Sequence, residues 1–368
     1  MQAHVQASIG NASSAELAGG CPLWQRMIAL ELQTVAVMGM TKNTGKTVCL
    51  NHLLSQADAA HKVVGLTSIG RDGEERDQVF AIPKPSVMVY PGCLVATARD
   101  TLARARVATR QMGTTGVDSP MGEVLIVKVM EAGEMEVAGA SRGHDQRQVI
   151  ALLKRCGAEM VFVDGALGRS HHASPAMADG VVLSTGAAMG GGMMDVLRKT
   201  RDRLAILGIA PAPADLAHQA QFIIERGGVG VWGRRGACLF NAPIATISAA
   251  STLLSLSVTD MGTLVVSGAV GKLLWQAVMT LLDRHPGLTL VVADGTKLFI
   301  DALDLAAFER QGGRLYALRS IRLIGITLNP FSPFGGSFEP AAFEAQARIH
   351  WPEHIVTDVM LGSIMEGS

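Results

Sequence analysis

The chain has 368 residues, of which 48% are hydrophobic, 17% are charged and only 4% are aromatic. Its 32 basic and 32 acidic residues balance, so no net charge draws the chain to nucleic acid or to an anionic membrane. The scarcity of aromatic residues argues against a stacking surface for single-stranded nucleic acid, and five widely spaced cysteines without a CxxC pair support neither a disulfide framework nor a zinc ribbon.

The amino-terminal residues 1–29 carry neither the apolar core of a signal peptide nor hydrophobic periodicity, and they are predicted to form a flexible extension. No apolar stretch of the sequence reaches the length needed to cross a bilayer. We therefore expect a soluble protein of the cytoplasm that binds neither nucleic acid nor membrane.

An apolar strand is predicted at residues 35–38, and it leads through a Gly-rich loop into a helix at 47–60. A second strand at 63–67 ends in the polar turn 68–77. The elements predicted after that turn are strand 87–90, helix 98–110, strand 123–129, helix 145–156, strand 160–163, strand 181–183 and helix 194–204. Strands that alternate with helices at this spacing indicate a parallel sheet with right-handed crossovers.

Further along the chain, buried strands are predicted at 264–267, 288–293 and 323–328, with helices at 272–283 and 302–311 between them. These elements favour a second lobe, and a continuation of the first sheet is the alternative. The expected fold class is α/β. It comprises a P-loop NTPase-type, mostly parallel sheet flanked by helices in residues 30–205, and a second, smaller α/β lobe in residues 206–368.

The Gly-rich loop reads GMTKNTGKT, and five residues separate its two glycines where a Walker A motif has four. Main-chain N–H groups at the start of the following helix are expected to converge on phosphates, and Gly45 lets the main chain approach them closely. Lys46 would neutralise the β- and γ-phosphates, and the Thr47 hydroxyl would ligate Mg²⁺. The predicted cofactors are therefore ATP and Mg²⁺. The predicted nucleotide-binding residues of the loop are Gly39, Asn43, Thr44, Gly45, Lys46 and Thr47.

Two carboxylates follow predicted strands. Asp164 ends the strand at 160–163, where a Walker B carboxylate reaches Mg²⁺, and the alternative is an aspartate that turns the chain before Gly165. Asp72 follows the second strand and is a candidate to hold Mg²⁺ or to orient the attacking water, with a solvated charged turn as the equal alternative. Lys46, Asp164 and Asp72 are the predicted catalytic residues, and Thr47 and Asp164 are the predicted metal ligands.

The loop resembles that of dethiobiotin synthetase and its relatives, which have the same longer spacing before Gly-Lys-Thr. Residues 40–42 are Met-Thr-Lys here and Thr-Asp-Thr in that enzyme, so the resemblance extends to loop geometry and does not imply its activity. An asparagine after a comparable strand reads the adenine base in that group, and the resemblance implies this role for Asn329. The alternative is a turn residue before Pro330. No Asn-Lys-x-Asp guanine-reading motif is evident, and GTP stays open as the nucleotide.

Four segments, 39–47, 67–74, 91–98 and 163–170, together show a narrower likeness. Over roughly residues 35–190 the chain resembles the first subunit of the reactivating factor for adenosylcobalamin-dependent lysine 5,6-aminomutase. The resemblance implies an ATP-hydrolysing subunit that helps to exchange damaged cobalamin in the aminomutase, an enzyme of lysine degradation. It also implies a second ATPase subunit that is similar to the MutS proteins as partner.

Two other functions stay open from the sequence. One is a dethiobiotin synthetase-like enzyme that uses ATP to activate a carboxylate, and the other is a nucleotide sensor that does not hydrolyse ATP. Thr47 and Asp164 argue against the sensor, because a pure sensor needs no metal site. The sequence leaves the oligomeric state open, a homodimer included.

Overall fold

The computed structural model describes residues 21–69, 86–165 and 177–360. Within these residues the chain is an α/β protein that contains a nine-stranded, a five-stranded and a two-stranded sheet. None of the helices in this part of the chain combines the length and the apolar character needed to cross a bilayer.

In chain order, the helices are α1 Pro22–Ala29, α2 Lys46–Ala59, α3 Arg99–Leu102, α4 Gly143–Arg155, α5 Met193–Leu207, α6 Ala214–Arg226, α7 Ala249–Ser255, α8 Lys272–Arg284, α9 Ala302–Arg310 and α10 Pro340–His350. The strands are β1 Thr34–Gly39, β2 Val64–Ser68, β3 Val87–Val89, β4 Leu94–Ala98, β5 Thr109–Ser119, β6 Gly122–Val129, β7 Gly133–Met135, β8 Met160–Asp164, β9 Gly180–Gly186, β10 Val229–Gly233, β11 Cys238–Ala242, β12 Met261–Val266, β13 Thr289–Val292, β14 Arg314–Ala317, β15 Leu323–Asn329 and β16 Val356–Thr357.

The large sheet has the strand order β16-β15-β9-β1-β8-β2-β4-β6-β5. Neighbouring strands from β16 to β4 run parallel. At the other side of the sheet, β6 runs antiparallel to β4, and the edge strand β5 runs antiparallel to β6. The central strands are buried along their whole length, as expected for a parallel sheet that is covered on both faces. The predicted α/β class with a mostly parallel sheet flanked by helices is therefore confirmed.

Helices cover both faces of the large sheet. Because successive side chains of a strand point to opposite faces, each strand contributes residues to both cores. In β1, Val35 and Val37 join the core beneath α1 and α2, whereas Ala36 and Met38 join the core beneath α4. In β8, Phe162 lies on the α2 face. The face on which a strand residue lies therefore follows from its parity, and this places Asp164 on the α2 face, two residues after Phe162.

The prediction of a flexible extension is wrong for residues 22–29, which form α1. Pro22 occupies the first turn, and Leu23, Trp24 and Met27 are buried against the large sheet. Gly325 in β15 makes room for this helix, because a Cβ atom there would overlap the Leu23 side chain. Eight residues are too few for an isolated helix to be stable, so α1 depends on the sheet for its stability. Residues 1–20 of the predicted extension lie outside the described residues.

The predicted helix 98–110 is also wrong in extent. Helix α3 ends at Leu102, and from Thr109 the chain runs as β5, antiparallel to β6. Val107 packs into the core beneath α2, close enough to Gly133 that a Cβ atom there would lie 2.9 Å from a Val107 methyl group. Intrinsic helix preferences differ by only a few tenths of a kcal/mol per residue. The pairing of one edge strand is of comparable size, so pairing with β6 can override the helix preference of this Ala- and Arg-rich run.

The predicted lobe 206–368 is divided between two sheets in the structure. Strands β10 to β14 form the five-stranded sheet, in the order β11-β10-β12-β13-β14, with a core of its own. The chain then returns to the large sheet, because β15 pairs with β9 and β16 pairs with β15. Hydrophobic periodicity identified β15 as a buried strand, but a period cannot say which strand lies beside it.

Candidate nucleotide site

The Gly-rich loop, residues 39–47, follows β1 in the middle of the large sheet. From β1 the chain crosses beyond β8 to β2, whereas from β9, the neighbour of β1 on the other side, it leads in the opposite direction to β15 after the five-stranded sheet. The two connections diverge at the carboxyl end of β1 and leave a crevice there. In open α/β sheets this topological switch point is the usual place for a ligand. The loop therefore lies at the position of the fold where binding is expected.

Hydrogen bonds define the shape of this loop. The Met40 N–H donates to the carbonyl of Ser184 in β9 at 2.9 Å, which ties the start of the loop to the neighbouring strand. The Thr44 hydroxyl donates to the Thr41 carbonyl at 2.9 Å, so the chain turns back on itself before α2 begins. Asn43 has φ 62° and Gly45 has φ 92°, and both adopt the left-handed conformation that asparagine and glycine tolerate best.

The side chain of Lys46 folds over the loop. Its ammonium donates to the Thr41 carbonyl at 3.0 Å. A Cβ atom on Gly39 would lie 2.8 Å from Lys46 Nζ and from Thr44 Oγ1. Gly39 is therefore needed because any side chain there would displace the lysine. The spacing of the two glycines, which is one residue longer than a Walker A motif, is compatible with a lysine that lies against the start of the loop.

The first turn of α2 presents main-chain N–H groups that precede the i→i−4 hydrogen-bond ladder of the helix. Its N-cap residue, Gly45, has no side chain to accept from them, and the turn contains no acidic residue. The earliest hydrogen bond of the helix runs from the Cys49 N–H to the Gly45 carbonyl. The N–H groups before Cys49 are thus directed toward the crevice, and together with the helix dipole they favour an anion.

Asn329 at the end of β15 contacts the loop directly. Its Nδ2 donates to the Asn43 carbonyl at 2.9 Å, and its Oδ1 accepts from the Phe331 N–H at 3.3 Å. The Asn329 side chain also lies against Gly45, where an added Cβ atom would be 2.9 Å from Asn329 Cβ. The structure thus brings Asn329 to the predicted site, and the amide makes hydrogen bonds that fix the loop.

Replacement of Gly45 by alanine is expected to destabilise the protein more than the same change at Gly92. Both glycines have φ 92°, so each variant loses roughly 1–2 kcal/mol to left-handed strain. A Cβ atom at Gly92 meets nothing within 4 Å, whereas at Gly45 it meets Asn329. Urea denaturation of the two variants measures the difference. Equal losses would show that Asn329 moves away without cost.

Asp164 and Thr47 supply oxygen atoms near the start of α2. Asp164 ends β8, is only 4% exposed and lies on the α2 face. Its charge contributes, after burial, to the raised pKa of the Cys49 thiol in the first turn of α2. Thr47 is half-buried in the first turn of the same helix. A carboxylate and a hydroxyl are hard ligands of the kind that Mg²⁺ takes.

Few protein ligands are needed for such an ion. The described residues contain no group of three or more His, Cys, Asp or Glu side chains that could hold a metal. Mg²⁺ differs from Zn²⁺ in this respect, because it usually keeps several waters and is held by one or two protein groups together with substrate phosphates. Asp164 and Thr47 therefore fit Mg²⁺ that arrives with a triphosphate. Asp72 lies outside the described residues.

A buried polar cluster below α2 was not found from the sequence. Ser184 and Thr327 share a hydrogen bond of 2.8 Å between their hydroxyl oxygens, and both interact with the Cys49 thiol. Burial raises the pKa of that thiol to about 12, so it stays protonated at physiological pH and is no nucleophile. In the sequence this cluster is visible only as a small polar residue within each of the apolar segments that form α2, β9 and β15. The cluster joins α2 to β9 and β15, and thereby fixes the helix that carries Lys46 and Thr47.

Comparison of the chain with models of protein families, with curated proteins and with solved structures finds no match. The function is therefore inferred from the geometry of this site and from the resemblances of the loop and its neighbouring segments.

Proposed function

We propose that this chain is a P-loop nucleoside triphosphatase that requires Mg²⁺ and binds ATP. The observation that supports this most directly is the arrangement at the carboxyl end of β1. There the uncapped start of α2 and the Lys46 ammonium face one crevice, and the adjacent strand β8 ends in the buried Asp164. Main-chain donors, a cation and a carboxylate around one crevice are the groups that phosphoryl transfer requires.

Each group has a separate role in the proposed site. The main-chain N–H groups at the start of α2 bind phosphate oxygens, and Lys46 exchanges its contact with the Thr41 carbonyl for the β- and γ-phosphates. Thr47 and Asp164 would hold Mg²⁺, which supplies neutralisation of the charge that develops on the phosphates. Water attacks the γ-phosphorus and releases a proton to solvent, the bond between the γ-phosphorus and the bridging oxygen breaks, and ADP and inorganic phosphate leave. Asp72 is proposed to orient that water.

Asn329 is proposed to act on the nucleotide through the loop. Its replacement by alanine removes the bond to the Asn43 carbonyl, and we expect binding of Mg·ATP and of Mg·tripolyphosphate to weaken by the same factor, roughly threefold to tenfold. Isothermal titration calorimetry with both ligands measures this. A loss confined to ATP would instead support the adenine-reading role that the dethiobiotin synthetase resemblance implies.

We further propose that ATP hydrolysis here serves the reactivation of an adenosylcobalamin-dependent aminomutase. The four segments that resemble the lysine 5,6-aminomutase reactivating factor support this narrower role. In physical terms, ATP and ADP would stabilise different conformations of this chain, and the difference would act on the mutase with the MutS-like partner subunit. Damaged cobalamin would then leave, and intact cofactor would replace it.

The experiment combines inactivated lysine 5,6-aminomutase with this chain, the MutS-like partner, Mg·ATP and fresh adenosylcobalamin. We expect aminomutase activity to return with the wild-type chain and not with Lys46→Ala. No recovery, despite ATP hydrolysis by this chain, would contradict the reactivation role and leave the NTPase proposal standing. Phosphate release that depends on a small carboxylic acid, without any partner, would favour the carboxylate-activating alternative.

A further inference from the structure

The segment that follows Asn329 forms a closed loop, residues 330–338, beside the candidate nucleotide site. The Phe338 N–H donates to the Pro330 carbonyl at 2.9 Å and closes the loop at its base. Inside it, the Ser332 N–H donates to Ser337 Oγ at 3.1 Å, and the Phe334 N–H donates to Ser332 Oγ at 3.3 Å. These bonds give the loop a defined shape.

The three phenylalanines of loop 330–338 differ in their surroundings. Phe338 packs against Phe343 of α10, with the ring centroids 5.1 Å apart in an edge-to-face arrangement, and so anchors the loop to the core. Phe331 and Phe334 are 63% and 58% exposed. Exposure of two large apolar rings is unfavourable in water, and it occurs here in a loop that hydrogen bonds hold in place. Exposed rings in a loop of defined shape beside the candidate site are available to contact a ligand there.

Phe331 is connected to the phosphate side of the site by two successive hydrogen bonds. Its N–H donates to Asn329 Oδ1, and Asn329 Nδ2 donates to the Asn43 carbonyl. Only the Asn329 side chain therefore separates the backbone of Phe331 from loop 39–47. Loop 330–338 therefore begins beside loop 39–47, within reach of the sugar and base of a nucleotide whose phosphates occupy loop 39–47.

We infer that loop 330–338 is the nucleobase subsite, in which Phe331 stacks on the base of a purine nucleoside triphosphate. This inference rests on the proposed function and defines its substrate class. The face of every base is a π-system, and purines offer the larger area for stacking on an aromatic ring. The Asn329 amide already bonds to the Asn43 carbonyl and to the Phe331 N–H. It therefore forms only weak hydrogen bonds with the edge of the base. ATP and GTP therefore bind with similar affinity, and pyrimidine nucleotides bind less tightly.

The test uses calorimetry with Mg²⁺ and four ligands: ATP, GTP, UTP and tripolyphosphate. Phe331→Ala is expected to weaken ATP and GTP binding by roughly tenfold or more and to leave tripolyphosphate unchanged, because only the nucleotides have a base to stack. Phe331→Tyr keeps a ring and should bind ATP as the wild type does. Phe222→Ala is the matched control, since Phe222 is 50% exposed on α6, beside the five-stranded sheet.

A second variant gives a direct optical readout. In Phe331→Trp, ATP is expected to change the fluorescence of the new indole relative to the wild-type chain, whereas tripolyphosphate is not. Unchanged ATP affinity in Phe331→Ala, with tripolyphosphate binding intact, would refute the stacking role. A preference of more than about tenfold for ATP over GTP in the wild type would refute weak edge reading. Failure of tripolyphosphate to bind the wild-type chain would instead refute the proposed function itself.

Discussion

Replacement of Lys46 by alanine is expected to weaken Mg·ATP binding by roughly 100-fold or more, because a charge-assisted contact to the triphosphate is lost in a partly desolvated crevice. The side chain is half-buried and bonds to the Thr41 carbonyl. Its removal leaves that carbonyl with the Thr44 hydroxyl as donor, so the fold is expected to persist. Calorimetry measures the affinity, and circular dichroism together with urea denaturation checks the fold.

Lys42 provides the matched control within the same loop. It is exposed, whereas Lys46 lies against Gly39. We expect Lys42→Ala to change the affinity for Mg·ATP by less than about threefold, because an exposed charge contributes little to binding. Equal losses in the two variants would mean that the loop attracts the nucleotide by net charge alone. Retention of full affinity in Lys46→Ala would overturn the assignment of this loop as the phosphate site.

Replacement of Asp164 by asparagine is expected to lower Mg²⁺-dependent ATP hydrolysis by roughly 100-fold or more, while ATP affinity changes by less than about fivefold. The amide has the size of the carboxylate but is a poor ligand for Mg²⁺, and it fits the same buried position at the end of β8. Phosphate release at saturating ATP measures the first effect. A titration with Mg²⁺ at fixed ATP should show a higher requirement for the ion.

Asp179 is a suitable control for this change because it lies at the amino-terminal end of the central strands, whereas Asp164 lies at their carboxyl end. Its carboxylate accepts from the N–H groups of Gln33 and Thr34 at the start of β1. Asp179→Asn is therefore expected to lower the stability of the protein without lowering the hydrolysis rate per folded molecule. Comparable loss of turnover in both variants would show that stability, and no metal contact, explains the effect of Asp164→Asn.

Local patterns predicted the elements around the candidate site closely. An apolar run followed by Gly-Lys-Thr predicted a strand at 35–38 and a helix at 47–60, and the structure has β1 and α2 within two residues of these bounds. The strand that ends at Asp164 was predicted in the same way. These elements are long, buried and bounded by glycine or polar residues, so their period is visible in the chain itself.

The errors share one physical cause. Residues 22–29 are helical because a sheet face from distant strands covers their apolar residues. Residues 109 onward are a strand because β6 pairs with them. In both cases contacts with other elements outweigh a weak local preference, and a single sequence does not contain the partner's position.

Local sequence specifies the loop, its lysine and the type of the elements on either side, since the steric demands of glycine and the spacing of apolar residues act within a few residues. Only the tertiary structure brought Asn329 to Asn43, which lies 286 positions away in the chain. It also placed β8 directly beside β1 and returned β15 to the large sheet. Strand neighbours depend on which pairs of faces can be buried together, and that is a property of the whole packed chain.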